Sequence, residues 1–109
     1  MIERIWHAWT SLENARAYEL ELKQEIFQMI KHKVMPGYRG ISLAVRKTGD
    51  EMEFVTVMRF ETLDAVKQWA GEDCEQAVVL EQSRKLIKRC DERAQHYEIK
   101  EWADLSVPR

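Results

Sequence analysis

The groups in this chain that could move a proton or meet a developing charge are few. His7 is flanked by Trp6 and Trp9 in an apolar N-terminal stretch. An imidazole with an ordinary pKa of about 6.5 takes up a proton near neutral pH. His7 is therefore a candidate general base, or a hydrogen-bond partner for a phenolic substrate; the other reading is a structural histidine. His96, in the last apolar stretch, is a second candidate contact, with the same alternative. Arg59 is a charge on a segment otherwise rich in apolar residues. It could stabilise an enolate or phenolate, pair with Glu53 or Glu61, or lie on a rim; Arg4 carries the same ambiguity. His32, beside Lys31 and Lys33, reads as a solvated helix cap. Four tryptophans, three tyrosines and three phenylalanines supply candidates for an aromatic-lined cavity, Trp6, Trp9 and Trp69 among them. The five methionines read as core gap-fillers.

Other chemistries lack their residues. There is no Gly-rich phosphate loop, HExxH, CxxC pair or Ser-centred nucleophile motif, so no metal, flavin or haem is expected as cofactor. Cys74 and Cys90 are far apart and read as reduced thiols. A net charge of −2 argues against a nucleic-acid or anionic-membrane surface. The basic run Arg84–Arg89, read as a helix face, is balanced by Asp91, Glu92 and an acidic first helix. No apolar run approaches the roughly 18–20 residues of a membrane span, and the N-terminus reads as a strand rather than a signal peptide. A cytoplasmic location is expected.

The elements that must position these groups follow from periodicity. Residues 2–9 alternate as a strand. Thr10 and Glu13 have capping-box spacing, opening a helix to about Lys33 with the stripe Ala15, Tyr18, Leu22, Ile26, Met29 and Ile30. Pro36-Gly37 stops it. Residues 39–47 alternate again, with Ile41, Leu43 and Val45 on one side. The Gly49-Asp50 turn leads to a strand over 51–60, with Met52, Phe54, Thr56, Met58 and Phe60 on one face and Val55, Val57 and Arg59 on the other. Thr62 caps a helix carrying Leu63, Val66 and Trp69, which Gly71 ends. From Asp73 a further helical stretch is expected, with Ala77, Leu80, Ile87 and Cys90 on one face. A strand over 94–100 closes the pattern, and Trp102 is placed to pin the tail.

That order is βαββαβ, an α+β, ferredoxin-like unit, expected as one domain over 1–100 with a tail over 101–109. Both helices of such a unit lie on one sheet face, yet strands 1 and 3 are apolar on both sides. A bare apolar face of several hundred Å² is unusual in a monomer. A two-fold homodimer is the simplest closed way to bury it.

Five stretches, in order across residues 2–99, resemble the antibiotic-biosynthesis-monooxygenase domain family: Arg4-Ile5-Trp6-His7-Ala8, Pro36-Gly37-Tyr38-Arg39-Gly40, Glu53-Phe54-Val55-Thr56, Trp69-Ala70-Gly71-Glu72-Asp73 and His96-Tyr97-Glu98-Ile99. The resemblance implies a dimeric α+β barrel with a cavity in each subunit between sheet and helices. It implies oxygenases that use no metal, flavin or haem, or haem degraders. Trp69 matches a pocket tryptophan of the haem-degrading branch. The resemblance would then need a ligating histidine ten residues on, where Val79 stands, and an asparagine on strand 1, which has none. The expected function is thus cofactor-independent monooxygenation of a small aromatic or polyketide-type molecule, with His7 as base, Arg59 as stabiliser, and Trp69, Trp6, Trp9 and His96 around the substrate. The alternative is a non-enzymatic dimeric module binding a hydrophobic small molecule.

Overall fold

The computed structural model describes residues 1–32 and 35–106. The side chains of Met29, Ile30 and His32, and Lys33 altogether, lie outside the described residues. The elements are β1 (Ile2–Ser11), α1 (Ala15–His32), β2 (Tyr38–Thr48), β3 (Glu51–Phe60), α2 (Leu63–Ala70), α3 (Glu81–Arg84), β4 (Arg89–Cys90) and β5 (Gln95–Glu98). All strand pairings are antiparallel, in the order β2-β3-β1-β4, with β5 also on β1. The fold is α+β and ferredoxin-like, as its alternation of strand and helix patterns requires. The second helix is reduced to α2 and the one-turn α3, and the last strand is divided into β4 and β5.

Strand side chains alternate between faces, and the pairing register shows which residues share one. Ala8 stands opposite Phe54, Trp6 opposite Thr56 and Arg4 opposite Met58. This is the face that the helices cover. Under α1, Tyr18 and Leu22 pack on Ala8 and Phe54; under α2, Ala65 and Val66 pack on Met58 and Phe60. The core therefore consists of two clusters side by side on one sheet face. The opposite face carries Glu3, Ile5, His7 and Trp9 of β1, Val55, Val57 and Arg59 of β3, and Ser42 and Ala44 of β2. No described helix covers it. Charged pairs border it: Arg59 with Glu3 at 3.1 Å, Arg46 with Glu53 at 2.6 Å and Arg89 with Glu51 at 2.9 Å.

Two expectations about the helices are corrected. Thr10 is no cap: it lies buried within β1, its hydroxyl donating to the Ser11 carbonyl at 2.8 Å. Ser11 takes that place, its Oγ accepting from the Asn14 N–H at 3.1 Å. The helix expected from Asp73 to Cys90 is absent except for α3. The cause is competition for backbone carbonyls. In a helix, the carbonyls of residues 74–76 would accept from N–H groups four residues on. Here Cys74 and Gln76 give theirs to the Arg4 guanidinium, and Glu75 accepts from the Ala94 N–H at 2.8 Å. Gln76 bridges to Arg93, whose guanidinium also holds Asp73 at 2.5 Å. The basic run accordingly splits: Arg84 ends α3, while Lys88 and Arg89 both pair with Glu51, at 3.2 and 2.9 Å.

Gly37 fixes the approach of β2 to α2. Its φ is +82°, and a Cβ there would stand 2.8 Å from the Ala65 Cβ. Its carbonyl accepts from the Glu61 N–H at 2.7 Å. Gly37→Ala combines left-handed strain with a clash against backbone-borne carbon, so a loss of about 1–3 kcal/mol is expected. Urea midpoints of the two proteins measure it, and an unchanged midpoint would contradict this account.

Candidate active-site cavity

Where the two core clusters part, a cleft opens between the helices and the sheet. Its floor is Trp6 of β1, Ile41 of β2, and Thr56 and Met58 of β3; its walls are Tyr18, Leu22, Glu25 and Ile26 of α1, Trp69 of α2, and Val78, Val79, Leu80 and Ser83. The volume open to water-sized occupants is about 50 Å³, within about 490 Å³ of empty space counted out to the mouth. An adjoining recess of about 270 Å³ of empty space shares Trp6, Thr56, Met58, Trp69 and Val78 with the cleft and adds Arg4.

Arg4 is the most deeply buried charged side chain among the described residues. Only 3% of it is exposed, and no carboxylate lies within ion-pair distance among the described residues. Nη1 donates to the Cys74 carbonyl and, at 2.9 Å, to His96 Nε2; Nη2 donates to the Gln76 carbonyl at 2.7 Å. The Trp69 ring lies 5.0 Å from Cζ, in cation–π range. Burial lowers the arginine's pKa, with Cys74 and Glu75 opposing, but an arginine this far from neutrality keeps its charge. Since arginine can only donate, His96 Nε2 accepts and its proton sits on Nδ1. Burial, then the adjacent Arg4 charge, hold His96 below the ordinary histidine range, consistent with a neutral acceptor. Burial also pushes the Tyr18 phenol well above its usual value.

The six residues expected at the site fall into two groups. Trp6 and Trp69 line the cleft, and His96 stands behind Arg4, facing it across the β1–β5 pairing. His7, Trp9 and Arg59 are on the helix-free face. The His7 ring donates through Nδ1 to Asp91 Oδ2 at 2.6 Å, and the His7 backbone N–H reaches the same oxygen at 2.9 Å. Its ring stacks on Trp9 at 5.9 Å, and Arg89 lies 4.0 Å from the centre of the Trp9 ring. Arg59 pairs with Glu3, rather than Glu53 or Glu61, and stands 5.7 Å from the Trp102 ring centre. The structure thus brings neither His7 and Arg59 together with Trp69, nor His7 together with His96. The physical reason is the period of two in a strand, which sends neighbours Trp6 and His7 to opposite faces.

Two cleft residues, Glu25 and Ser83, were not singled out by their sequence context, and Arg4 was weighed beside Arg59 without being placed at the site. Arg4 was legible in principle, since it shares the face of Trp6 two positions on. Glu25 lies one position off the predicted stripe of α1. Ser83 gave no signal; its Oγ is buried with no hydrogen-bond partner among the described residues.

Several solved structures share this fold. A Bacillus cereus protein, provisionally assigned as an antibiotic biosynthesis monooxygenase, matches with a TM-score of 0.66 at 15% identity, over 94% of this chain and 96% of that one. A Deinococcus radiodurans protein with the same provisional assignment gives 0.64 at 11%, over 98% and 100%. The haem degrader MhuD of Mycobacterium tuberculosis, solved with two haems bound in its active site, gives 0.60 at 18%, over 95% and 100%. No family model and no curated protein matches the sequence. The chain has the antibiotic-biosynthesis-monooxygenase fold. The lining of the described cleft has no histidine or cysteine to ligate haem iron, Val79 is part of the wall, and its one tyrosine, Tyr18, is made harder to ionise by burial. Met58, its one thioether, is 4% exposed and packed within the α2 cluster. Among the described residues no group of three or more His, Cys, Asp or Glu side chains is placed to hold a metal ion, and no helix is long and apolar enough to cross a membrane.

Proposed function

We propose that this chain is a monooxygenase-like protein that takes a small aromatic or polyketide-type molecule into the cleft between sheet and helices. The observation that carries the reading is the cleft itself: an apolar slot with Trp6 on its floor, Trp69 on its wall and one buried cation, Arg4, at one end. Cofactor-free oxygenation needs a dry aromatic pocket, a base to remove an acidic proton, and a cation or hydrogen-bond donor to hold the resulting anion, which then passes an electron to O₂. Arg4 is the cation of this cleft. Glu25, the carboxylate in its wall, is the candidate base. A base at His7 would have to act from the other side of the sheet.

A second reading, a non-enzymatic binder of the same class of molecule, is favoured by one observation. Glu25 and Tyr18 are the only groups lining the described cleft that could take up or release a proton, and burial makes the Tyr18 phenol harder to ionise. Oxygen uptake with an electron-rich polycyclic phenol, measured at catalytic protein concentrations, separates the two. The enzyme reading expects turnover that falls about 10²–10⁴-fold in Glu25→Gln and is nearly unchanged per folded molecule in His7→Ala. Turnover lost only in His7→Ala would return the base to β1. Binding without oxygen uptake would establish the binder.

The helix-free face supports a homodimer. Ile5, Val55, Val57 and Ala44 lie at its centre inside the border of charged pairs, the arrangement of an interface with an apolar centre and polar rim.

A further inference from the structure

We propose that the cleft is built for an aromatic molecule with an anionic oxygen group at one end, bound by Arg4, and a neutral hydroxyl at the other, met by Ser83 and Glu25. This rests on reading the cleft as an aromatic site and adds the polarity and orientation of what enters it.

Two independent observations carry it. The first is the incomplete partnership of Arg4. Three of the guanidinium's five N–H donors are used, by two carbonyls and the His96 nitrogen. That leaves the N–H on Nε and one on Nη2 without a partner among the described residues. All three partners are neutral, and the Glu75 carboxylate acts on the charge only from beyond ion-pair distance. A buried cation normally has a paired anion, and Arg4 instead lines an open recess. The second is Ser83, 2% exposed, whose hydroxyl has no partner and also faces the cleft. Buried hydroxyls are nearly always satisfied, and the ligand is the group that would satisfy this one.

The lining separates the two ends. Arg4 belongs to the recess with Trp6, Thr56, Met58, Trp69 and Val78, and Glu25 is absent from that set. Glu25 and Ser83 belong to the part of the cleft lined also by Tyr18, Leu22, Ile26 and Leu80, none of which borders the Arg4 recess. A carboxylate or phenolate is attracted to the Arg4 end and repelled from the Glu25 end. Trp69, stacked on the guanidinium, offers its other surroundings to an aromatic ring. His96 serves as a positioning residue, fixing Nη1 and so the direction of the remaining donors.

The test is calorimetric titration of the full chain, near neutral pH, with a hydroxynaphthoate and with the neutral naphthol in which a hydroxymethyl group replaces the carboxylate. The acid is expected to bind at least about tenfold more tightly, as charge-assisted hydrogen bonds are the stronger ones. Arg4→Met should abolish the preference, Arg4→Lys should retain part of it, and Ser83→Ala should weaken both ligands by a similar factor. Equal affinity of the wild type for acid and alcohol overturns the inference while leaving an aromatic site standing. Binding of neither overturns the aromatic site as well. Should Arg4→Met not fold, the wild-type comparison and Arg4→Lys still decide.

Discussion

Phe54→Ala is expected to cost about 3–5 kcal/mol of folding stability. Phe54 is 1% exposed, opposite Ala8 in the sheet, and its ring meets that of Tyr18 edge-on at 4.8 Å with an interplanar angle of 84°. Truncation removes the transfer free energy of the ring and leaves a hole that α1, anchored by Tyr18 and Leu22, cannot readily fill. The edge-to-face contact adds about 0.5–1.5 kcal/mol that area alone does not count. Domains of this kind have only about 5–15 kcal/mol in total, and each kcal/mol shifts the melting temperature by several degrees. Thermal and urea unfolding of the two proteins provides the measurement. A loss below about 1 kcal/mol would mean that the α1 cluster is not the stabilising core.

Val57→Asp is expected to convert a dimer of about 26 kDa, twice the 13.0 kDa chain, into a monomer at micromolar concentration. This follows from the proposed pairing of helix-free faces. Val57 stands between Ile5 on β1 and Ser42 on β2, away from both core clusters. In a two-fold interface the same patch is used by both copies, so one substitution places two carboxylates in the buried centre. Burying an unpaired charge costs several kcal/mol, enough to dissociate a pair held mainly by apolar contact. Sedimentation of wild type and variant gives the answer, with circular dichroism confirming that the variant stays folded. A wild type that sediments at the monomer mass, or a variant still dimeric, would remove the helix-free face as the interface.

The strands were legible because their alternation is strong and local. The hairpin of β2 and β3 follows directly from alternating Ile41, Leu43, Val45 and from Phe54, Met58, Phe60 around a Gly-Asp turn, and β3 has its expected bounds. The region after Gly71 was not legible, because what decides it is distant in sequence. Ala77, Leu80 and Ile87 are spaced for a helix, but Arg4, some seventy residues away, takes two of the carbonyls that such a helix would use. Short-range periodicity contains no trace of that competition. The site was legible in part for a related reason. Trp6 and Trp69 were recognisable as bulky aromatics on elements that face each other. Grouping His7 with Trp6 and Trp9 followed adjacency in sequence, which in a strand separates residues rather than gathering them. Arg4 resembled Arg59 until pairing register showed one buried against the helices and the other bordering the open face.

Because β1 sends even-numbered side chains to the cleft and odd-numbered ones to the helix-free face, one ten-residue segment serves two surfaces. Point substitutions can therefore retune either surface alone: Trp6 can change without touching Ile5, and His7 without touching Arg4. An insertion or deletion inside β1 has no such independence. Adding one residue turns every later side chain to the other face, exporting Ala8 from beneath α1 and driving His7 into its place. The strand should thus tolerate exchange of residues while forbidding any change in its length, and variants selected for new ligands should retain its ten positions whatever they place on them.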